Sequence, residues 1–323
     1  MYWQEPNEST LYLPLSLGDP FLDIKKCKVN DIYKTAVNSS FRKCWTNPNI
    51  SNPDAICNEL IVLLKACAGL ILIAQQTIEN YEKTSKQDLV TQADIGVEKI
   101  IRFWFEKFLP NHIIIGEEMH KPKIKHSDIV WYLDPIDGTS NYTKQSKEFC
   151  INLGSTFNGK PFINLIYYPT AHTYYYQTPT KTNYKFISPK ENLICSEFYP
   201  NRVLEEKVFN SILNKTGYNP FKTCALGVSL LKMIEGKISA FYKLNVKPWD
   251  IMSGAGILAT SDKWDISLLL HDNTQICPFS NSKDIVKYFN SRFLDNCRIG
   301  TLIITLKDQP QIKEVILSEA LNP

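Results

Sequence analysis

The sequence predicts an α+β protein whose second half shifts to α/β alternation, and three observations predict it. A long apolar period of helical spacing follows Pro53. Short apolar strands fill residues 113 to 176, one pair joined across Asn158-Gly159, a strong hairpin signal. From about Glu191, strand-like runs alternate with helical ones.

The elements follow in order. Residues 1–53 are irregular, punctuated by Pro6, Pro14, Pro20, Pro48 and Pro53, and read as an extension packed on a domain. The first helix begins at Pro53, with Asn52 as N-cap and Asp54 at the positive end. Leu60, Leu63, Leu64, Cys67, Leu70, Ile71 and Ala74 carry its apolar face. A second helix is expected to start after Thr91, with Thr91-x-x-Asp94 as a capping box and Ile95, Val97, Ile100, Ile101, Trp104 and Phe108 on its apolar side. Strands are expected at Ile113 to Ile115, Ile129 to Leu133, Phe149 to Phe157, Phe162 to Tyr168 and Tyr174 to Tyr176. Helices are expected at Leu204–Leu213, Val228–Glu235 and Asp250–Ala259. The expected division is an extension (1–53), an α+β half (54–185) and an α/β half (186–323).

Composition narrows the class. Of 323 residues, 44% are apolar and 21% charged, which is ordinary for a globular chain and argues against disorder or a coiled coil. The net charge of +3 gives no reason to expect a nucleic-acid polymer or an anionic membrane surface as partner. The nine cysteines are scattered and make no C-x-x-C, so reduced thiols fit better than a disulfide framework or a zinc site. No secretory signal is visible in MYWQEPNEST, and the apolar run Ala66 to Ala74 is too short to span a bilayer. The expected setting is cytoplasmic. Glycine is scarce, 13 of 323.

Two strand ends carry the chemistry. One reads Ile115-Gly116-Glu117-Glu118. The other reads Leu133-Asp134-Pro135-Ile136-Asp137-Gly138-Thr139. Pro135 favours a tight turn that aims both aspartates at one point. Carboxylates held together repel unless one is protonated or a cation sits between them. Oxygen-only ligands favour a hard ion, Mg²⁺ first. A helix starting at Gly138-Thr139 would offer free N–H groups to a phosphate. Metal beside phosphate is the layout of phosphoryl transfer to water.

The motifs resemble those of the inositol monophosphatase superfamily, Mg²⁺-dependent and lithium-sensitive phosphatases that include inositol monophosphatases and 3′(2′),5′-bisphosphate nucleotidases. The resemblance runs from about Asp54 to Leu258. It rests on Gly116-Glu117-Glu118, on Trp131 through Tyr142 with its Asp-Pro-Ile-Asp-Gly-Thr centre, on Pro248-Trp249-Asp250, and on the upstream segment Asp88 to Asp94. It implies a layered αβαβα sandwich of the sugar-phosphatase type, with the site between two halves. It implies Glu117, Asp134, the Ile136 carbonyl, Asp137 and Asp250 as ligands of two or three Mg²⁺. Glu117 and Thr139 would position the metal-activated water, with Asp94 coupled to Thr139. Gly138, Thr139 and Lys83 would hold the phosphate, and water would attack in line without a phosphoenzyme. The implied substrate is a small phosphorylated metabolite: an inositol phosphate, a sugar phosphate or a 3′-phosphoadenosine nucleotide. Some members of the superfamily are homodimers and others monomers, so a homodimer is among the expectations.

Departures fall on the substrate side. Ala225-Leu226 stands where many members carry Gly-Ser or Gly-Thr, with Gly227 two residues late. Lys243 replaces a glutamate that binds substrate hydroxyls in inositol-specific members, and it could meet a second phosphate or a carboxylate instead. Thr260-Ser261-Asp262-Lys263 stands where Ala-Gly-Gly is usual. These departures motivate a competing reading, a catalytically weak or inactive relative acting as a structural or regulatory subunit. Lys121, Lys123 and Lys125 read as a solvated loop, the five histidines as surface or ordinary core residues, and the tyrosine-rich stretch near Tyr167 as sheet.

Overall fold

The computed structural model describes residues 50–78, 86–119, 129–158, 160–197, 203–270, 275–276 and 299–321. The readings of the extension up to residue 49, of Lys83, of Lys121, Lys123 and Lys125, and of Gly159 fall outside the described residues. The helices are α1 (Pro53–Ile78), α2 (Lys86–Phe108), α3 (Thr139–Thr143), α4 (Val203–Thr216), α5 (Leu226–Ile234), α6 (Pro248–Leu258) and α7 (Pro310–Leu321). The strands are β1 (Ile113–Gly116), β2 (Ile129–Asp137), β3 (Cys150–Phe157), β4 (Lys160–Tyr168), β5 (Thr173–Gln177), β6 (Leu193–Cys195), β7 (Asn219–Phe221), β8 (Ala240–Val246), β9 (Trp264–Leu269), β10 (Gln275–Ile276) and β11 (Gly300–Leu306).

The start of α1 follows its sequence. Asn52 Oδ1 accepts the Ala55 N–H at 2.9 Å, the side-chain cap expected of an asparagine before Pro53. Leu60, Leu63, Leu64, Cys67, Ile71 and Ala74 are all buried. By length and composition Pro53–Gln76 is apolar enough to cross a membrane, which corrects the limit drawn from Ala66 to Ala74. In this fold its apolar face packs into the protein core. The start of α2 departs from expectation: the helix begins at Lys86, so position 91 lies within it and not at its start. No proline or glycine interrupts Lys86 to Ala93, and continued helix wins over the local cap.

Strand alternation builds the layers. In β2, Trp131 and Leu133 face α1 and α2, while Val130 and Tyr132 face α5 and α6. The first sheet has the order β1-β2-β3-β4-β5, with β1 parallel to β2 and the remaining pairs antiparallel. The second has the order β10-β9-β11-β8-β6-β7. The residues of α5 are all buried, as a helix between two sheets must be. Phe241, Leu302 and Ile304 of the second sheet close the other side of that middle layer. On its far face, Ile194, Tyr242 and Ile303 pack against Val208, Phe209, Ile212, Ile312 and Ile316 of α4 and α7. The result is the αβαβα sandwich. The five described cysteines are free.

One local expectation needs correction. Asp134-Pro135-Ile136-Asp137 is not a tight turn after a strand. It lies within β2 as a bulge, with a register slip between Asp134 and Asp137 against β3. Proline is tolerated in a bulge because it owes no ladder hydrogen bond there. Asp134 Oδ1 accepts the Ile136 N–H at 3.0 Å and fixes the bulge from within.

Candidate active site

Parallel pairing brings the two acidic motifs together. Gly116 is the register partner of Leu133, and the Glu117 N–H continues the ladder to the Leu133 carbonyl at 3.1 Å. Glu117, just past the end of β1, and Asp134, within β2, therefore lie side by side. Asp250, in the first turn of α6, comes to the same edge from the middle layer. Carboxylate oxygens of Glu117, Asp134 and Asp250 all lie within 4.8 Å of one another.

Burial makes that closeness costly. Asp134 has its pKa held well above the ordinary range by burial, then by Glu117, Asp137, Asp250 and Asp94. Asp250 is raised by burial and by Glu117, with Lys247 pulling the other way. Asp94, on α2, is raised by burial and by Glu118, Glu117 and Glu98. Acids arranged so resist ionising together unless a cation joins them. The donors are all oxygen, so the set fits a hard divalent ion.

Asp137 stands beside the trio, but its carboxylate is engaged elsewhere. It accepts the N–H of Leu226 at 3.2 Å, of Gly227 at 2.6 Å and of Val228 at 3.3 Å, capping α5. Burial pushes its pKa up to about 7, against the pull of the Gly227 and Val228 N–H groups. Gly138 follows with φ 91, and a Cβ there would lie 2.8 Å from the Ala225 Cβ. Ala225-Leu226 thus packs directly behind the Gly138-Thr139 turn. At that turn α3 begins, with Asn141 N–H bonded to the Gly138 carbonyl at 2.8 Å. The Thr139 hydroxyl donates to the Ile136 carbonyl at 3.1 Å, the same oxygen expected to hold a metal. That bond joins a helix-start hydroxyl to a carbonyl three residues back, where the family resemblance implies a link to Asp94.

Lys243 lies on β8, and its ammonium is 3.0 Å from Glu205 Oε2 on α4. The expected free cation for substrate is therefore neutralised by an internal carboxylate. Two participants, Lys247 and Glu98, do not stand out in the sequence. Lys247 Nζ lies 2.6 Å from Glu117 Oε1; its one signal is a basic residue beside Pro248-Trp249-Asp250. Glu98, 0% exposed, accepts the Glu118 N–H at 3.1 Å and pairs with Arg102 at 2.8 Å. Asp94, Glu98 and Arg102 recur at four-residue spacing on one face of α2, a pattern that could have shown it. Gly227 has no room for a side chain, since a Cβ would lie 2.5 Å from the Asn152 amide nitrogen.

An acidic edge between the halves of a layered sandwich has the oxygen donors to hold a divalent cation beside a substrate. The sequence profile of the Inositol monophosphatase family matches residues 58–260, and the chain belongs to that family. The inositol-1-monophosphatase of Bacillus subtilis is 30% identical over 196 residues, covering 56% of this chain and 72% of the relative. A fructose-1,6-bisphosphatase/inositol-1-monophosphatase of Aquifex aeolicus is 28% identical over 193 residues, covering 56% and 72%. The Nus factor SuhB of Escherichia coli is 23% identical over 207 residues, covering 59% and 76%. The crystal structure of inositol monophosphatase II from Staphylococcus aureus MSSA476 superposes with a TM-score of 0.61 at 21% identity, covering 82% of this chain and 96% of that one.

Proposed function

We propose that the chain is a Mg²⁺-dependent phosphomonoesterase acting on a small phosphorylated metabolite: an inositol phosphate, a sugar phosphate or a 3′-phosphoadenosine nucleotide. The observation that carries the proposal is the convergence of Glu117, Asp134 and Asp250, a cluster around the buried Asp134 whose repulsion a divalent cation would relieve. These three would hold the metal, with Asp137 recruited from its cap on α5. Bound there, Mg²⁺ would lower the pKa of a water molecule and neutralise the developing charge on the leaving group. The chain's own residues orient the reaction. Gly138 lets the backbone turn close to an anion, and the N–H groups of Gly138 and Thr139 face the phosphate. Glu117 and Thr139 would position the attacking water, with Asp94 close to Glu117.

The names of two relatives, one a phosphatase of both fructose-1,6-bisphosphate and inositol-1-phosphate and one a Nus factor, frame the choice. The Nus factor motivates the second reading, a weak or inactive relative serving as a subunit. The retained cluster favours the enzyme, because an idle site has no reason to keep repelling acids. Phosphate release from inositol 1-phosphate, fructose 1,6-bisphosphate and adenosine 3′,5′-bisphosphate separates the readings. Turnover of at least one ester, abolished by Asp250→Asn, supports the enzyme; no release by folded protein leaves the subunit.

A further inference from the structure

Lys247 is electrostatically misplaced for its position on α6. It is the residue before Pro248, extended at φ −102 and ψ 151, and makes no side-chain cap. The N-terminus of a helix carries partial positive charge, and a lysine there loses stability where an aspartate or serine would gain it. Its ammonium turns instead to the carboxylates. Nζ reaches Glu117 Oε1 at 2.6 Å and lies 5.3 Å from the centre of the Trp249 ring. The side chain keeps 31% exposure, so the ammonium has a route to water. Burial alone would lower its pKa, but Glu117, Asp250 and Asp134 together raise it.

Resting on the metal-dependent reading above, we infer that Lys247 is a built-in counter-cation of the carboxylate cluster, and that an entering divalent ion must displace its ammonium from Glu117. The carboxylate that Lys247 holds belongs to the same trio a metal would use. An ammonium and a divalent ion crowded onto one carboxylate repel each other. A lysine suits this role because it is a compact point charge on a flexible stem and can swing outward when displaced. The arrangement stabilises the protein before metal arrives and weakens the metal's hold. One charge against two at about 6 Å, screened as in water, changes affinity about tenfold.

The test is Mn²⁺ binding to the full chain, followed by electron paramagnetic resonance of the free ion, with melting measured in EDTA and in saturating Mn²⁺. Lys247→Gln is expected to bind Mn²⁺ about five- to tenfold more tightly than wild type. It should also melt lower in EDTA, so that the gap between its two melting temperatures widens. Lys247→Arg keeps the charge and should stay within about twofold of wild-type affinity. Unchanged or weaker Mn²⁺ binding by Lys247→Gln, beside normal binding by wild type, overturns the inference and leaves the proposed function standing. No Mn²⁺ binding by wild type overturns both.

Discussion

Replacing Arg102 by Met should destabilise the protein by about 3 kcal/mol and loosen the strand end that carries Glu117. The magnitude follows from the surroundings of Glu98. That carboxylate is 0% exposed and accepts from Arg102 Nε at 2.8 Å and from the Glu118 N–H at 3.1 Å. A second Arg102 nitrogen lies 2.8 Å away, and Arg102 Nη1 also donates to the Ile114 carbonyl at 3.1 Å. Removing the guanidinium leaves a buried anion beside Asp94 with a backbone N–H for company. Breaking a buried pair from one side costs about 3–5 kcal/mol. Arg102 keeps 17% of its side chain exposed, so water can reach the gap and the low end applies. Urea unfolding of wild type, Arg102→Met, Glu98→Met and the double variant measures this. The double variant should recover much of the loss, since neither charge is then stranded. An Arg102→Met loss under about 1 kcal/mol, or a double variant as unstable as the sum of the singles, would refute the reasoning.

Further expectations test other parts of the site. Gly116→Ala places a Cβ 2.1 Å from Glu98 Oε1, so weaker metal binding together with lower stability is expected; unaffected Mg²⁺ binding by calorimetry would contradict the close packing. Lys243→Ala should cost about 1–3 kcal/mol in urea unfolding while leaving KM for phosphate esters nearly unchanged, because Lys243 is paired with Glu205. A large KM increase with unaltered stability would return Lys243 to the substrate. Asp137, raised to about 7 in the folded protein from 3.8, keeps its proton over a range where the unfolded chain has lost it. Its contribution is thus fully present below pH of about 4 and fades as pH rises through about 7. Metal-free protein should melt lower at pH 7.5 than at pH 5.5, and Mg²⁺ should recover the difference; a melting temperature that rises over that range without metal would refute this. Asp137→Asn should retain the fold, since asparagine also caps helices, but lose phosphatase activity.

What is legible in the sequence is local. The helical period of α1, its Asn52 cap and the acidic end of β1 depend on neighbours within a few residues, and they appear where expected. The layered fold is what the resemblance of the ordered motifs to a known family implies. What stays hidden depends on long-range partners. Asp137 reaches across 90 positions to the Gly227 N–H, and Lys247 across 130 to Glu117. Lys243 reads as a free cation in the sequence because its Glu205 partner lies on another layer. The start of α2 escapes for the opposite reason: a plausible local cap at Thr91 is overruled by a longer helix. Pro135 signals a turn and a bulge alike, and pairing with β3 decides between them.

The central claim is that the acidic edge performs metal-dependent phosphate hydrolysis. Its most direct test is phosphate release by the purified full chain from the three esters above, in Mg²⁺, after EDTA, and after Mg²⁺ is restored. The account predicts release from at least one ester, lost in EDTA and regained on Mg²⁺ addition. Release indifferent to EDTA, or no release from any ester by folded protein, would contradict it.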